Sequence, residues 1–280
     1  MKRDRRISQM ALKKRGAAGW LLALTLCSLP WNAGCRRFAK AKELRTPVEV
    51  MDRYGNERTY RLFLPPIPDT AKRIQLLVYF HGVVSPGFKK ISALANYTGS
   101  PVEETALIPF CRGRGIALLV PDALYEYQFL GCASRGWLIA KEIDGVERII
   151  DAVLEKYPID GRRVYLAGIS AGAAFCHFLA NRRPRAYDAI ISHSQAYVDE
   201  EGKVLRPPHR GPQFGILFCY NQGDYERLIA FCLESERLYR EAGYRTTLLK
   251  DLPPAGHRWS SANNARFWRW LQKLGRLRNG

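Results

Sequence analysis

Residues 168–172, Gly-Ile-Ser-Ala-Gly, spell G-x-S-x-G around Ser170. A β-rich run, 164–169, leads into the pattern, and an Ala-rich stretch, 171–181, leads out of it. In that setting Ser170 sits on a sharp strand-to-helix turn with its hydroxyl exposed above a sheet, as a nucleophile would. Gly168 and Gly172 fit because a side chain at either place would collide with so tight a turn. The helix N-terminus below Ser170 offers free N–H groups and a positive dipole end. The five-residue pattern alone is cheap; the strand before it and the helix after it make it specific.

A serine of this kind needs a base, and the base needs an orienting acid. Where this turn occurs, the acid and then the histidine follow the serine along the chain. His193, His209 and His257 lie downstream. His257 falls in the loop Pro253-Pro-Ala-Gly-His257-Arg-Trp259, after the last predicted strand, where it can return to the sheet top. His193 ends a short strand and His209 lies in a Pro/Gly-rich loop, so both read as structural; His177, on the helix after Ser170, reads as packing. Asp224 follows the predicted strand 214–220, and strand carboxyl ends are where sites form in such sheets. Asp251 is its rival, only six residues before His257.

A tetrahedral oxyanion also needs donors. The N–H of Ala171, just after the nucleophile, is one. The other is expected from the loop after the apolar run 74–80, where His81-Gly82-Val83 begins. Gly82 lets the backbone turn close to substrate and Val83 N–H is the expected donor, while His81 reads as structural. Tyr125, Tyr127, Phe129 and Trp137 follow the strand 116–120 and are candidates for an aromatic pocket, with Trp137 and Tyr125 foremost.

The elements that must hold these residues alternate. Residues 48–51 and 58–64 read as an antiparallel hairpin around the turn at 52–56. Runs at 74–80, 116–120, 164–169, 189–192, 214–220 and 246–249 read as strands. Residues 103–114, 142–157, 171–181, 225–242 and 262–274 read as helices. The alternation predicts an α/β domain, a mainly parallel central sheet flanked by helices, entered through that hairpin.

His81-Gly82, the run from Asp144 through Asp160-Gly-Arg-Arg-Val164 to Gly-Ile-Ser170-Ala-Gly172, and the end Gly256-His257-Arg-Trp259 together resemble the polyhydroxybutyrate depolymerase and feruloyl-esterase branch of the α/β-hydrolase superfamily. The resemblance covers roughly residues 47–275 and is most specific at 144–175. It implies the α/β-hydrolase fold and an exported serine esterase with Ser170, Asp224 and His257 as its triad.

The chain's 280 residues fit one catalytic domain, 47–280, with an N-terminal extension. The net charge of +18 sits mostly at the ends: residues 1–46 hold 12 Lys/Arg against two acids, and 258–280 hold six Arg/Lys and no acid. With the body nearly balanced, a groove for nucleic acid is not indicated. Seven basic residues among the first fifteen, an uncharged stretch at 16–31 and small residues before Cys35 describe an export signal over 1–35. Asn32-Ala-Gly-Cys35 resembles the lipobox of bacterial lipoproteins, so lipidation at Cys35 and ordinary cleavage both stay open, as does membrane attachment through the N-terminus. The expected location is outside the cytoplasm: periplasmic, membrane-anchored or secreted. Residues 36–46 read as a charged tether. Cys111 and Cys132 could pair in such a compartment, whereas Cys176 and Cys219 read as small buried hydrophobes.

No H-E-x-x-H, P-loop or G-x-G-x-x-G after a strand occurs, so neither metal nor nucleotide cofactor is implied. The expected activity is hydrolysis of carboxylic esters, small or polymeric, through an acyl-enzyme. The alternatives are a prolyl-oligopeptidase-type serine peptidase and a catalytically silent hydrolase-fold binding protein.

Overall fold

In β3 (Ile74–Phe80), Leu76, Val78 and Phe80 enter one apolar core and Leu77 and Tyr79 enter another. A strand apolar on both faces must be covered on both. The computed structural model describes residues 43–66, 73–91, 97–199, 201–208 and 214–278, without the side chains of 43–49 and 276–278. On one face of the sheet lie α2 (Ile139–Lys156), α3 (Ala171–Arg182) and α4 (Glu226–Glu241). On the other lie α1 (Leu107–Arg112) and α5 (Asn264–Arg278).

Further strands are β1 (Glu43–Met51), β2 (Glu57–Phe63), β4 (Ile116–Pro121), β7 (Ile159–Ile169), β8 (Ala189–His193), β9 (Gly215–Asn221) and β10 (Arg245–Leu252). The eight-stranded sheet runs β1-β2-β4-β3-β7-β8-β9-β10. All neighbours from β4 to β10 pair in parallel, while β2 pairs antiparallel with β4 and with β1. This is the expected mainly parallel sheet with an antiparallel hairpin at its edge. Parallel order brings the carboxyl ends of β3, β7 and β9 to one rim, where the loops after them meet.

The hairpin begins earlier than its alternating residues suggest: β1 already pairs at Glu43, Leu44, Arg45 and Thr46, so the end of the expected tether is strand. Residues 1–42, including Cys35 and the expected export signal, lie outside the described residues, as does His209. The helix expected over 103–114 is divided. A 3-10 turn at Val102–Thr105 stops at Ala106, whose φ of 55° no α-helix accommodates, and α1 starts anew. A small second sheet, β5 (Glu126–Phe129) and β6 (Cys132–Arg135), was not expected. Its signal is the alternation of Tyr127 and Phe129 before Leu130-Gly131, which turn with φ of 51° and 75°.

Cys111 and Cys132 are both free thiols. Cys111 belongs to the core beneath α1, whereas Cys132 opens β6 beside Gly87 and packs with Val83 and Phe88 in a different cluster, so the two cannot bond. Cys176 and Cys219 are wholly buried among apolar side chains, where burial pushes their thiols up.

Candidate active site

Ser170 follows β7 and precedes α3 with φ 54° and ψ −127°, a strained conformation for a residue with a side chain. The turn is tight enough to exclude any side chain on either flank. A Cβ on Gly168 would lie 2.4 Å from the Gly172 carbonyl carbon, and one on Gly172 would lie 2.3 Å from the Phe80 oxygen. The Ser170 carbonyl caps its own helix by accepting from Ala173 N (2.9 Å) and Ala174 N (3.1 Å). Ala171, at the first helical position, has no carbonyl one turn back for its N–H.

Asp224 sits where β9 ends, after Asn221-Gln222-Gly223, and is almost fully buried. Its Oδ1 accepts from His257 Nδ1 at 2.8 Å and from Tyr225 N at 2.8 Å; its Oδ2 accepts from Ser194 Oγ. Burial opposes its ionisation, but the bonds and charge of His257, then the Ser194 hydroxyl and Tyr225 N–H, outweigh it and hold the carboxyl below its usual range. A carboxylate only accepts, so His257 Nδ1 carries a proton, and in the neutral imidazole Nε2 is the acceptor. Asp251 is exposed on β10 and makes no bond to His257 among the described residues.

The His257 loop is held from behind. Asn221 Nδ2 donates to Gly256 O (2.8 Å) and Arg258 O (2.7 Å), and Gly256 N donates to Gln222 O (2.9 Å). Ser260 Oγ donates to the side-chain oxygen Oδ1 of Asn221. Buried His193 spans the gap between the acid and this loop, with Nδ1 2.8 Å from Ser194 Oγ and Nε2 3.2 Å from Ser260 Oγ. His193 is thus structural, as its position predicts, but it belongs to the support of Asp224 and not to general packing. His177 is buried between Tyr239 and Ser192.

Ser170 and His257 both line an open cavity of about 880 Å³. Among the described residues no hydrogen bond joins them, as is common before substrate tightens a site. Val83 and Ala171 also line this cavity. The Val83 N–H donates to none of the described residues, while its neighbours are occupied: Gly82 N bonds Gly99 O at 2.7 Å and Val84 N bonds Arg135 O at 2.9 Å. With its own N–H engaged, Gly82 serves this corner only as the close turn expected of it. Its place in the turn rests on space, because a Cβ there would meet Tyr97 Oη at 2.0 Å and Ser170 Cβ at 3.2 Å.

Trp137 forms a wall of the cavity, stacked on Phe175 at 5.1 Å and donating from Nε1 to His81 O at 2.8 Å. His81 is structural, its Nδ1 2.6 Å from the Gly82 carbonyl. Tyr127 and Phe129 reach the cavity from β5. Tyr125 does not. Its hydroxyl donates to Asp52 Oδ2 (2.7 Å) and accepts from Asn56 Nδ2 (2.9 Å), at the turn between β1 and β2. That buried carboxylate offers a stronger partner than a mostly apolar cavity, so the expectation for Tyr125 is corrected. Sequence reasoning did not reach Tyr97, Ser194, Asn221 and Ser260, which approach from four separate places with no spacing that ties them to the triad.

Among the described residues no three His, Cys, Asp or Glu side chains gather as a metal site requires. Serine turn, histidine and carboxylate sit together on the rim of this sheet, as they do in the α/β-hydrolase fold. Residues 126–205, which carry the Ser170 turn, match the family model described as esterase PHB depolymerase. No curated protein matches the chain in sequence. Among solved structures it is similar to esterases from Rhizomucor miehei (TM-score 0.57, 13% identity, 87% of this chain and 85% of that one). It is similar also to a ferulic acid esterase (TM-score 0.55, 12% identity, 84% and 98%). A third likeness is to S-formylglutathione hydrolase from Staphylococcus aureus (TM-score 0.51, 12% identity, 84% and 98%). The chain thus has the α/β-hydrolase fold, and its residues 126–205, around Ser170, are similar to the esterase family model.

Proposed function

We propose that this protein hydrolyses carboxylic esters through a covalent acyl-enzyme on Ser170. The observation that carries the reading is the strained Ser170 turn sharing a cavity with His257, whose Nδ1 is fixed by Asp224. His257 Nε2 takes the Ser170 proton as Oγ attacks the acyl carbon, and Asp224 stabilises the imidazolium that forms. The carbonyl oxygen, now negative, accepts from the N–H groups of Val83 and Ala171. Collapse expels the alcohol, which receives the proton from His257; water then repeats the sequence on the acyl-enzyme.

The cavity's aromatic side, Trp137, Tyr127 and Phe129, suits an ester with an apolar group on one side of the scissile bond. The purified protein, assayed on short p-nitrophenyl esters, aryl esters and peptide amides, is expected to turn over esters and spare amides. A fluorophosphonate is expected to add at Ser170 alone; labelling of another serine, or preference for amides, would overturn the reading.

Basic, apolar and small residues in that order over 1–35 further support export, with the mature chain starting at or near Cys35. Mass spectrometry of the mature terminus distinguishes a diacylated Cys35 from a free one. An intact Met1 on a cytoplasmic species would rule out both.

A further inference from the structure

We propose that the Tyr97 hydroxyl is a third donor to the oxyanion formed at Ser170, an assignment that rests on the esterase reading above. The phenol enters from the loop that precedes Ser100, and its ring packs 5.0 Å from the His257 ring and 6.0 Å from Phe88. Its oxygen, the Gly82 Cα and the Ser170 Cβ crowd around one point, since a Cβ on Gly82 would meet the first at 2.0 Å and the last at 3.2 Å. Val83, whose N–H donates to none of the described residues, is the residue after Gly82, so hydroxyl and amide flank the same corner of the cavity.

The Tyr97 oxygen is closed off from solvent and, among the described residues, has no partner in hydrogen-bonding geometry, although the Ser170 hydroxyl is close enough to interact with it. Phenylalanine would pack equally well there without stranding a donor. A buried donor left unsatisfied is costly in the resting protein. That cost disappears if a negative oxygen arrives during the reaction, and an interaction made only then lowers the barrier and not the ground state. Burial pushes the phenol well above its usual range, so it holds its proton at neutral pH.

In the step itself, the Ser170 Oγ–carbon bond forms, the serine proton passes to His257 Nε2, and the carbonyl π pair moves to oxygen. That oxygen accepts from Val83 N–H, Ala171 N–H and Tyr97 O–H, and no proton leaves Tyr97. When the tetrahedral species collapses, the pair returns and the alkoxide departs with the proton from His257.

Tyr97→Phe removes one atom and tests the assignment. On a p-nitrophenyl ester kcat is expected to fall by ~10²-fold, the scale seen when a single oxyanion donor is deleted. KM should stay within about threefold, because the interaction is absent from the bound ground state. An alkylboronic acid, whose tetrahedral adduct on Ser170 carries the same negative oxygen, should lose affinity by a similar factor. The Tm should hold or rise, since an unsatisfied buried donor has been removed. Unchanged kcat and boronate affinity would overturn the assignment and leave the esterase reading intact. So would a lower Tm with unchanged boronate affinity, which would make Tyr97 a packing residue. A wild-type protein that neither turns over esters nor takes fluorophosphonate at Ser170 would overturn both.

Discussion

Two buried polar clusters sit in this domain, and they differ in what their atoms face. In the first, Arg58 on β2 and Glu142 on α2 pair with no side-chain exposure at all. Arg58 also donates to Asp122 O at 3.2 Å, and Glu142 Oε1 accepts from Leu124 N (2.9 Å) and Tyr125 N (3.1 Å). Asp52, Asn56 and Tyr125 close it off at the hairpin turn. The second cluster, Asp224 with Ser194, His193, Ser260 and Asn221, is as deeply buried, but it ends on His257 at an open cavity. The first ties β2, α2 and the loop after β4 together through Arg58 Nη2 and Glu142, although Arg58 Nε and Nη1 find no partner among the described residues. The second holds one imidazole and leaves Nε2 unclaimed. Burial and polarity therefore do not mark a site; a fixed group with an unused lone pair beside free donors does.

The two clusters should fail in different ways, and the largest effect belongs to the open one. Ser170→Ala is expected to abolish nearly all esterase activity, with ~10³-fold residual rate over water from the remaining donors. The Tm should stay within a degree or two, because the Ser170 side chain caps nothing in α3. Fluorophosphonate addition should vanish. A substantial drop in Tm with activity retained would move Ser170 into the structural class.

Next comes the acid. Asp224→Asn should lower kcat by ~10⁴-fold while the fold persists, since the amide stabilises the wrong imidazole tautomer. Asp251→Asn should leave kcat unchanged. The reverse pattern would exchange the two assignments.

In the closed cluster the loss should appear as stability. Arg58→Met strands Glu142 as a buried carboxylate, and removing one partner of such a pair typically costs about 3–5 kcal/mol. Chemical denaturation would measure this, and kcat per folded molecule should remain that of the wild type. Arg58→Met combined with Glu142→Leu should recover most of the loss, because two matched apolar groups leave no charge behind. A double variant as unstable as the single one would mean that the bonds to Leu124 and Tyr125, and not the charges, hold this corner.

Local chemistry decided how much of this was legible in the residues. The Ser170 turn was readable because it is a five-residue pattern set between an apolar strand and a helix, with Gly168 demanded by the Gly172 backbone inside it, and Asp224 and His257 because each follows a strand that ends on the rim. The parallel sheet followed from apolar runs too long to be covered on one face only. Tyr125 and Tyr127 could not be told apart by type. A hairpin of ten residues aims Tyr127 at the cavity, and the preceding loop gives Tyr125 to Asp52. Tyr97, Ser194 and Asn221 meet the triad only through tertiary packing, which likewise places Cys111 and Cys132 in separate apolar clusters.

The smallest effect, taken per unit of pH, comes from histidines that never touch substrate. Burial holds His193 and His177 neutral and drops each to about 3, against about 6.5 for an unfolded histidine. For His193 burial is the largest cause and His257 adds to it, together outweighing the Asp224 charge and the Asn221 side chain, which favour the proton. The unfolded chain therefore binds protons that the folded chain refuses. The stability this contributes is complete above pH 6.5 and is lost as pH falls toward 3, by up to about 1.4 kcal/mol per pH unit for each group. Between pH 5 and 6, above the range where most carboxylates titrate, the pH slope of the unfolding free energy should fall by about one proton in His193→Gln, and likewise in His177→Gln. Denaturant titrations at several pH values would read this directly. An unchanged slope in His193→Gln would mean that His193 is protonated within its bonds to Ser194 and Ser260, and that the support of Asp224 carries a positive charge.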